Sequence, residues 1–443
     1  MKKISTKICV FGIIIFLLSS TTAASSSIFT SQKLTPKVST DKLEILSFPD
    51  PTKITQAIEM VNESLVRQFL EELVAFGPRV TGTYGCDKSA EYLFKQFENM
   101  GLETRYQRWT SFNKIIPMLR YTGKNVEGAL PGKDPTKEVL IFNGHYDTVK
   151  VSPGADDDGS GVAAILTAAY VLSNFEFNRT IKFVAFSGEE QGLFGSRAYA
   201  KKAYENNEKI LVEFNADGIG YAETAQGGRK ISLSSTEDAK SVVNKIKEVN
   251  DNYNINFNIN LAWIMKPGGL LRISDFYDFV LYGYESVAFW QSEANIAYFH
   301  TSEDTIEHIN FSYLANVTKL IVGSLAYLAD IENEYPQVKI VSPRRGSLYF
   351  EDRILKVFRH EKTLVIDDIF INAEATPGNA PIEKVEFYYN GKLKYTDTDA
   401  PYQWRLNQLS LLRHKITVIA YDELGRTAGY ELKFIFINLN KKR

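Results

Sequence analysis

The chain has 443 residues, enough for two or three domains at roughly 150 residues each. Hydrophobic residues at 44% and charged residues at 23% describe a folded protein, and a net charge of −2 from 51 basic and 53 acidic side chains makes no electrostatic case for binding nucleic acid. Two cysteines (Cys9, Cys86) and five histidines (His145, His300, His308, His360, His414) exclude a disulfide framework and a thiol-based zinc site, so any metal centre must lean on carboxylates and a few imidazoles.

The first predicted element is an export signal over residues 1–24. Lys2, Lys3 and Lys7 precede an apolar run over 8–18, and small residues from Thr21 to Ser25 offer a cleavage zone at Ala23 or Ala24. The alternative is an uncleaved anchor, but the run falls short of the ~20 residues that span a bilayer. Cleavage shifts the net charge from −2 to −5 and removes Cys9, leaving Cys86 as a lone, structural thiol. No later segment reads as a membrane span, so the mature chain is expected to be soluble and exported, with residues 25–42 as its leader.

From 43 to 335 helical and apolar-strand patterns alternate, the mark of an α/β domain. Helical spacing covers 64–76 and 89–100, with Gly101 as a stop. Strands are expected at 138–143, 180–186, 209–214 and 286–290, and helices at 160–172, 191–204 and 310–331. Polar clusters stand where apolar strands end, which is where open α/β sheets gather ligand sites. They are His145-Tyr146-Asp147; Asp156-Asp157-Asp158-Gly159-Ser160-Gly161; Ser187-Gly188-Glu189-Glu190-Gln191-Gly192; Asp217; and His300 in Phe299-His300-Thr301-Ser302-Glu303-Asp304-Thr305. Each alone has a plain reading as a turn, a helix cap or a loop. Together they supply two imidazoles and several carboxylates, a composition that suits a pair of metal ions sharing one carboxylate.

This ordered set, with Ala75-Phe76-Gly77-Pro78-Arg79 and Gly82-Thr83 before it, resembles the M28 family of zinc exopeptidases over residues 43–333. The resemblance implies a mixed, mostly parallel central sheet with helices on both faces, and two Zn2+ per chain. It implies His145 and Asp217 on one zinc, Glu190 and His300 on the other, and Asp157 bridging them. Glu189 would be the general base acting on a water held between the ions, and Asp147 would stand behind His145. Many members carry Tyr directly before the last His; here Phe299 stands there and Tyr298 one residue earlier, so no oxyanion donor is assigned. Arg272 is a candidate for substrate contact, and Phe289, Trp290 and Phe299 are candidates for the substrate pocket. Peptides are the implied substrates. A secreted aminopeptidase leads, and a carboxypeptidase of the same family, a glutaminyl cyclase-like transferase and a non-catalytic zinc-containing binding protein remain open. No Gly-x-Ser-x-Gly elbow occurs, and His360-Glu361 lacks the second His of a zincin helix because Leu364 stands there.

After Tyr335-Pro336 helical periodicity gives way to β-rich runs at 338–341, 363–373, 382–389, 414–421 and 430–437, separated by turn signals such as Asn390-Gly391. The stretch from Lys384 to Lys392, with Ala400-Pro401-Tyr402 and Val418 to Asp422, resembles the Ig-like modules appended to exported microbial enzymes. A β-sandwich over 336–443 is expected, serving to attach the chain to a cell-surface polymer, to steady the catalytic domain, or neither. Asn62, Asn178, Asn310 and Asn316 open Asn-x-Ser/Thr sequons.

Overall fold

Asp50 accepts the Thr52 N–H and Pro51 occupies the first helical position, and so α1 (Pro51–Met60) begins there. The protein is described by a computed structural model over residues 49–112, 120–135, 137–265, 273–293, 297–331, 335–358 and 362–438. The expected signal and leader, Arg272 and His360-Glu361 lie outside the described residues. Asn62 caps α2 (Glu63–Val74), and α3 (Tyr84–Asn99) stops at Gly101, whose φ of 77° suits glycine.

Eight strands follow: β1 (Glu103–Phe112), β2 (Arg120–Leu130), β3 (Val139–His145), β4 (Ile181–Phe186), β5 (Ile210–Ala216), β6 (Lys230–Thr236), β7 (Asn258–Met265) and β8 (Ser286–Gln291). Interleaved are α4 (Gly159–Leu172), α5 (Phe194–Glu205), α6 (Lys240–Asn252) and α7 (Phe276–Leu281), and α8 (Phe311–Asp330) closes the domain. The strands form one mixed sheet in the order β1-β2-β4-β3-β5-β8-β6-β7. The inner pairs β4/β3, β3/β5 and β5/β8 are parallel, as is β6/β7, while β1/β2, β2/β4 and β8/β6 are antiparallel.

Alternate residues of the inner strands face opposite layers. Leu140, Phe142, Val212 and Phe214 join the main core with α4 and α8, whereas Ile141, Val184 and Phe186 pack on Tyr199, Ala200 and Phe279 from α5 and α7. Helix α4 is buried almost all round, which explains its run of Ala, Val and Gly. Contrary to the expectation that no later segment could span a membrane, α8 is long and apolar enough by composition. However, 83% of its apolar window is buried inside the fold, so that character serves the core.

After Pro336 ten strands follow: β9 (Gln337–Ser342), β10 (Ser347–Phe350), β11 (Arg353–Val357), β12 (Thr363–Ile366), β13 (Ile369–Thr376), β14 (Ile382–Tyr389), β15 (Lys392–Asp397), β16 (Gln403–Leu406), β17 (Arg413–Asp422) and β18 (Thr427–Ile437). They make a seven-stranded sheet, β11-β10-β12-β18-β17-β14-β15, and a three-stranded one, β16-β13-β9. Ile371, Val385, Phe387, Leu406, Val418 and Phe434 fill the space between them. The single run expected over 363–373 is two strands in different sheets, because Asp367, at φ 72°, turns the chain from one sheet to the other.

The two domains belong to one compact unit and meet at the N-terminal ends of β3 and β5. There Glu374 lies 3.2 Å from Lys209 and 3.3 Å from Lys339, and Thr376 Oγ1 reaches Glu138 at 3.4 Å. Arg344 lies over the Tyr204 ring at 3.7 Å and donates to the Tyr282 carbonyl at 2.7 Å. The strand ends that carry the polar clusters are at the opposite edge of the sheet.

Candidate metal centre

His145 ends β3 and is 1% exposed, with its backbone N–H donating to Asp158 Oδ2 at 3.0 Å. Its Nδ1 lies 3.0 Å from the Asp147 carbonyl. A carbonyl only accepts, so the ring proton sits on Nδ1 and the Nε2 lone pair is left for a metal. Nε2 points at two carboxylates, Asp157 Oδ1 at 3.2 Å and Asp217 Oδ1 at 3.8 Å. The second oxygen of Asp157 faces the other way, 3.0 Å from His300 Nε2, which also lies 3.2 Å from Glu190 Oε2. One carboxylate thus stands between two imidazoles, each backed by a further acid. The five side chains picked out in the sequence converge from five separate segments.

Asp147 is wholly buried behind this group, but not in the expected manner. Its carbonyl, rather than its carboxylate, makes the close contact with His145, the carboxylate oxygen being 3.8 Å from Nδ1. The carboxylate instead accepts from the Glu189 N–H at 3.2 Å and from the Thr81 hydroxyl at 3.1 Å, tying the Glu189 loop to the end of β3.

The Asp156-Asp157-Asp158 run divides its labour. Asp158 also falls within ligand reach of His145 and Asp217. Its oxygens, however, are engaged by the N–H groups of His145, Gly161 and Gly218, and Gly161 places it as the cap of α4. Asp156 accepts from the Gly220 N–H at 2.9 Å and from Gln291 Nε2 at 2.7 Å. That leaves Asp157 to point at both imidazoles, and the 157–158 peptide is cis. Asp304 accepts the N–H groups of Asp156 at 2.8 Å and Asp157 at 3.2 Å and so aims the run. Arg79, with no exposed surface, donates to the carbonyls of Tyr146, Pro153 and Gly154, which bracket the same loop.

Charge follows burial. Burial and the neighbouring Asp157 charge push Glu190 up to about 7, and its Oε1 is buried with no hydrogen-bond partner. Burial raises Glu189 well above the ordinary carboxylate range; His145 opposes the shift, and Asp275, Asp217 and Asp147 add to it. Burial alone would raise Asp157, but the two imidazoles outweigh it and hold its carboxyl low. Burial would lower His145, yet Glu189, Asp157 and Asp217 raise it well above the usual imidazole value. Crowded acids with too few fixed positive charges suit a cation.

The structure separates the three expected pocket aromatics. Phe289 has no exposed surface and packs edge-on to Phe214 at 5.1 Å, so it is a core residue and not a pocket wall. Trp290, next along β8, faces the other layer against Phe276 at 6.1 Å. Phe299 is 49% exposed and stacks on His300 at 3.8 Å, so it borders the open side of the cluster. Tyr298 turns away and stacks on His308 at 3.7 Å. The helix-cap reading of the acidic run holds for Asp158, whereas sequence reasoning missed the roles of Arg79, Thr81, Gln291 and Asp304. It also gave none to Asp275, wholly buried near Glu189 and raised to about 8 by that burial. Asp304 was visible as the acid four residues after His300, but nothing local said where it points.

Residues 125–325 match Peptidase family M28, and residues 336–418 match a bacterial Ig domain. The chain is 28% identical over 254 residues to aminopeptidase YwaD of Bacillus subtilis, a match spanning 54% of this chain and 52% of that protein. It is 26% identical over 314 residues to leucine aminopeptidase 1 of Paracoccidioides brasiliensis, covering 65% of this chain and 77% of the relative. Among solved structures, BSAP, a zinc aminopeptidase from Bacillus subtilis, superposes with a TM-score of 0.52 at 19% identity over 61% of this chain and 95% of that one.

Proposed function

The chain carries a peptidase family M28 domain followed by a bacterial Ig domain, and from that premise we propose that it is a secreted zinc-dependent aminopeptidase. The observation that carries the reading is Asp157, whose two oxygens face His145 and His300 separately. Two imidazole nitrogens with Asp157, Asp217 and Glu190 form a nitrogen-and-oxygen donor set that fits two zinc ions, and the partnerless Glu190 Oε1 is an acceptor awaiting a cation. When bound, the ions would polarise the scissile carbonyl and lower the pKa of water towards ~7.

The remaining steps belong to the side chains. Glu189, held by its N–H on Asp147, is the general base: it takes the proton from the attacking water and returns it to the leaving amine. Burial and the neighbouring acids raise its proton affinity, which suits a group that holds a proton between the two transfers. Asp147 fixes the His145 tautomer through its carbonyl and the Glu189 loop through its carboxylate, so base and ligand share one support. Asp304 holds the N–H groups of Asp156 and Asp157, and the Asp158 carboxylate accepts the His145 N–H.

The basic, apolar and small-residue order at the N-terminus supports export. The Ig domain meets the peptidase domain at the end of the sheet away from the candidate ligands, an arrangement that supports attachment to a cell-surface polymer.

The test is a panel of free and N-acetylated aminoacyl anilides. The free amines should be cleaved and the acetylated ones left intact. Cleavage of acetylated and free substrates at equal rates would defeat the aminopeptidase assignment.

A further inference from the structure

Beneath the metal-binding end of the sheet lies a line of buried polar side chains that the chemistry above does not use. Glu213 on β5 accepts from Asn143 Nδ2 on β3 at 2.6 Å and from the Ser286 hydroxyl on β8. Asn143 Oδ1 accepts from Asn215 Nδ2 at 3.0 Å, and Asn215 Oδ1 accepts from the Ser274 hydroxyl at 2.9 Å. All five residues have no exposed surface. The line spans three neighbouring parallel strands whose other inward positions are apolar, as parallel strands buried on both faces normally are. Five polar groups there are tolerable only when paired, and each of these contacts pairs two of them.

Register gives the line its meaning. Asn143 and Asn215 are Cα partners across β3 and β5, and Glu213 is the partner of Ser286 across β5 and β8. His145 and Asp217 stand two residues beyond Asn143 and Asn215, on the same face. A slip of one residue between β3 and β5 would turn one ligand away and break the Asn143–Asn215 bond together. Glu190 and His300 come from the loop after β4 and from the segment before α8, which this line does not touch.

We propose that the Glu213–Asn143–Asn215 ladder is the positioning device for the His145–Asp217 half of the metal pair, locking the register that brings one ligand from each strand together. The proposal rests on the dinuclear reading. It concerns which half loses metal when the ladder is cut. Glu213→Leu removes both acceptors and keeps the bulk, whereas Glu213→Gln keeps an acceptor for Asn143 and supplies a donor that the Ser286 hydroxyl can accept.

The full-length protein is loaded with zinc; affinity is read by equilibrium dialysis and location by zinc-edge anomalous diffraction. Wild type should show one ion in each half. Glu213→Leu should weaken the His145–Asp217 ion by about ten- to a hundredfold, the range for loss of a group that supports a ligand. The Glu190–His300 ion should stay within twofold, and Glu213→Gln should restore both. Asn143→Ala, a smaller cut at the same rung, should give the same one-sided loss if the Leu variant fails to fold. A folded Glu213→Leu or Asn143→Ala variant that keeps both ions within twofold, or weakens both equally, overturns the ladder. Wild type that binds zinc in neither half defeats the peptidase reading instead.

Discussion

At the scale of single residues, two adjacent glutamates stand in different surroundings, and the proposed jobs differ accordingly. Glu190 shares His300 with Asp157, while Glu189 is tied through its N–H to Asp147 and faces no imidazole nitrogen within ion-pair distance among the described residues. Glu189→Gln should therefore keep two zinc ions and lower kcat by about 10²–10⁴-fold, the usual worth of a positioned general base. Glu190→Ala should instead lower zinc content towards one per chain. Metal analysis beside kcat separates the two, and an unchanged kcat in the Gln variant would remove Glu189 from its role. The five candidate ligands stood out in the sequence because polar clusters gather near the ends of apolar strands, and only their order and company made them significant. Which acid of Asp156-Asp157-Asp158 points to the metals was not readable from composition. Three equal carboxylates in a row differ only by where Asp304, Gly161 and Gln291 engage them. Phe289 and Trp290 show the same limit: adjacent strand residues face opposite layers, so both cannot line one pocket.

At the scale of elements, strands with strongly apolar cores were foreseen and those with mixed faces were not. β3, β4, β5 and β8 stand within a residue or two of their expected places. β1, at the edge of the sheet, exposes much of its length and carries Glu103, Arg105 and Arg108, so it offers little hydrophobic period to read. β15, an edge strand of the sandwich, is exposed throughout except at its end. Element β5 also carries a measurable pH signature. Burial pushes the Glu213 carboxyl up to about 7 from an ordinary 4.5, with Ser286 and Asn143 opposing the shift. A raised folded-state value favours the protonated form, so this contribution is fully present below pH ~4.5 and is lost as pH rises through about 7. The loss amounts to roughly 3 kcal/mol at pH 8. Glu213→Gln should be more stable than wild type at pH 8 and close to it at pH 5 in denaturant melts. A gap independent of pH would show that Glu213 does not titrate in this range.

At the scale of the whole molecule, the sheet gathers the candidate ligands towards one end of its inner strands and meets the Ig domain at the other. The sequence told of two domains through the change of periodicity near Pro336, but the contact between them depends on side chains far apart in the chain. Arg344 is the clearest: it covers Tyr204 and donates to the Tyr282 carbonyl. Arg344→Ala should cost about 1–2 kcal/mol, from one hydrogen bond and one cation–π contact. Calorimetry should show the domains melting further apart, and an unchanged profile would mean that the junction gains nothing from Arg344. The proposed activity of the whole molecule depends on zinc and on the two imidazoles that share Asp157. Its most direct test strips metal from the full-length protein with a chelator and titrates zinc back while following hydrolysis of a free aminoacyl anilide. The expected result is loss of activity on chelation and recovery that saturates at two zinc ions per chain; activity that survives complete removal of metal would contradict it.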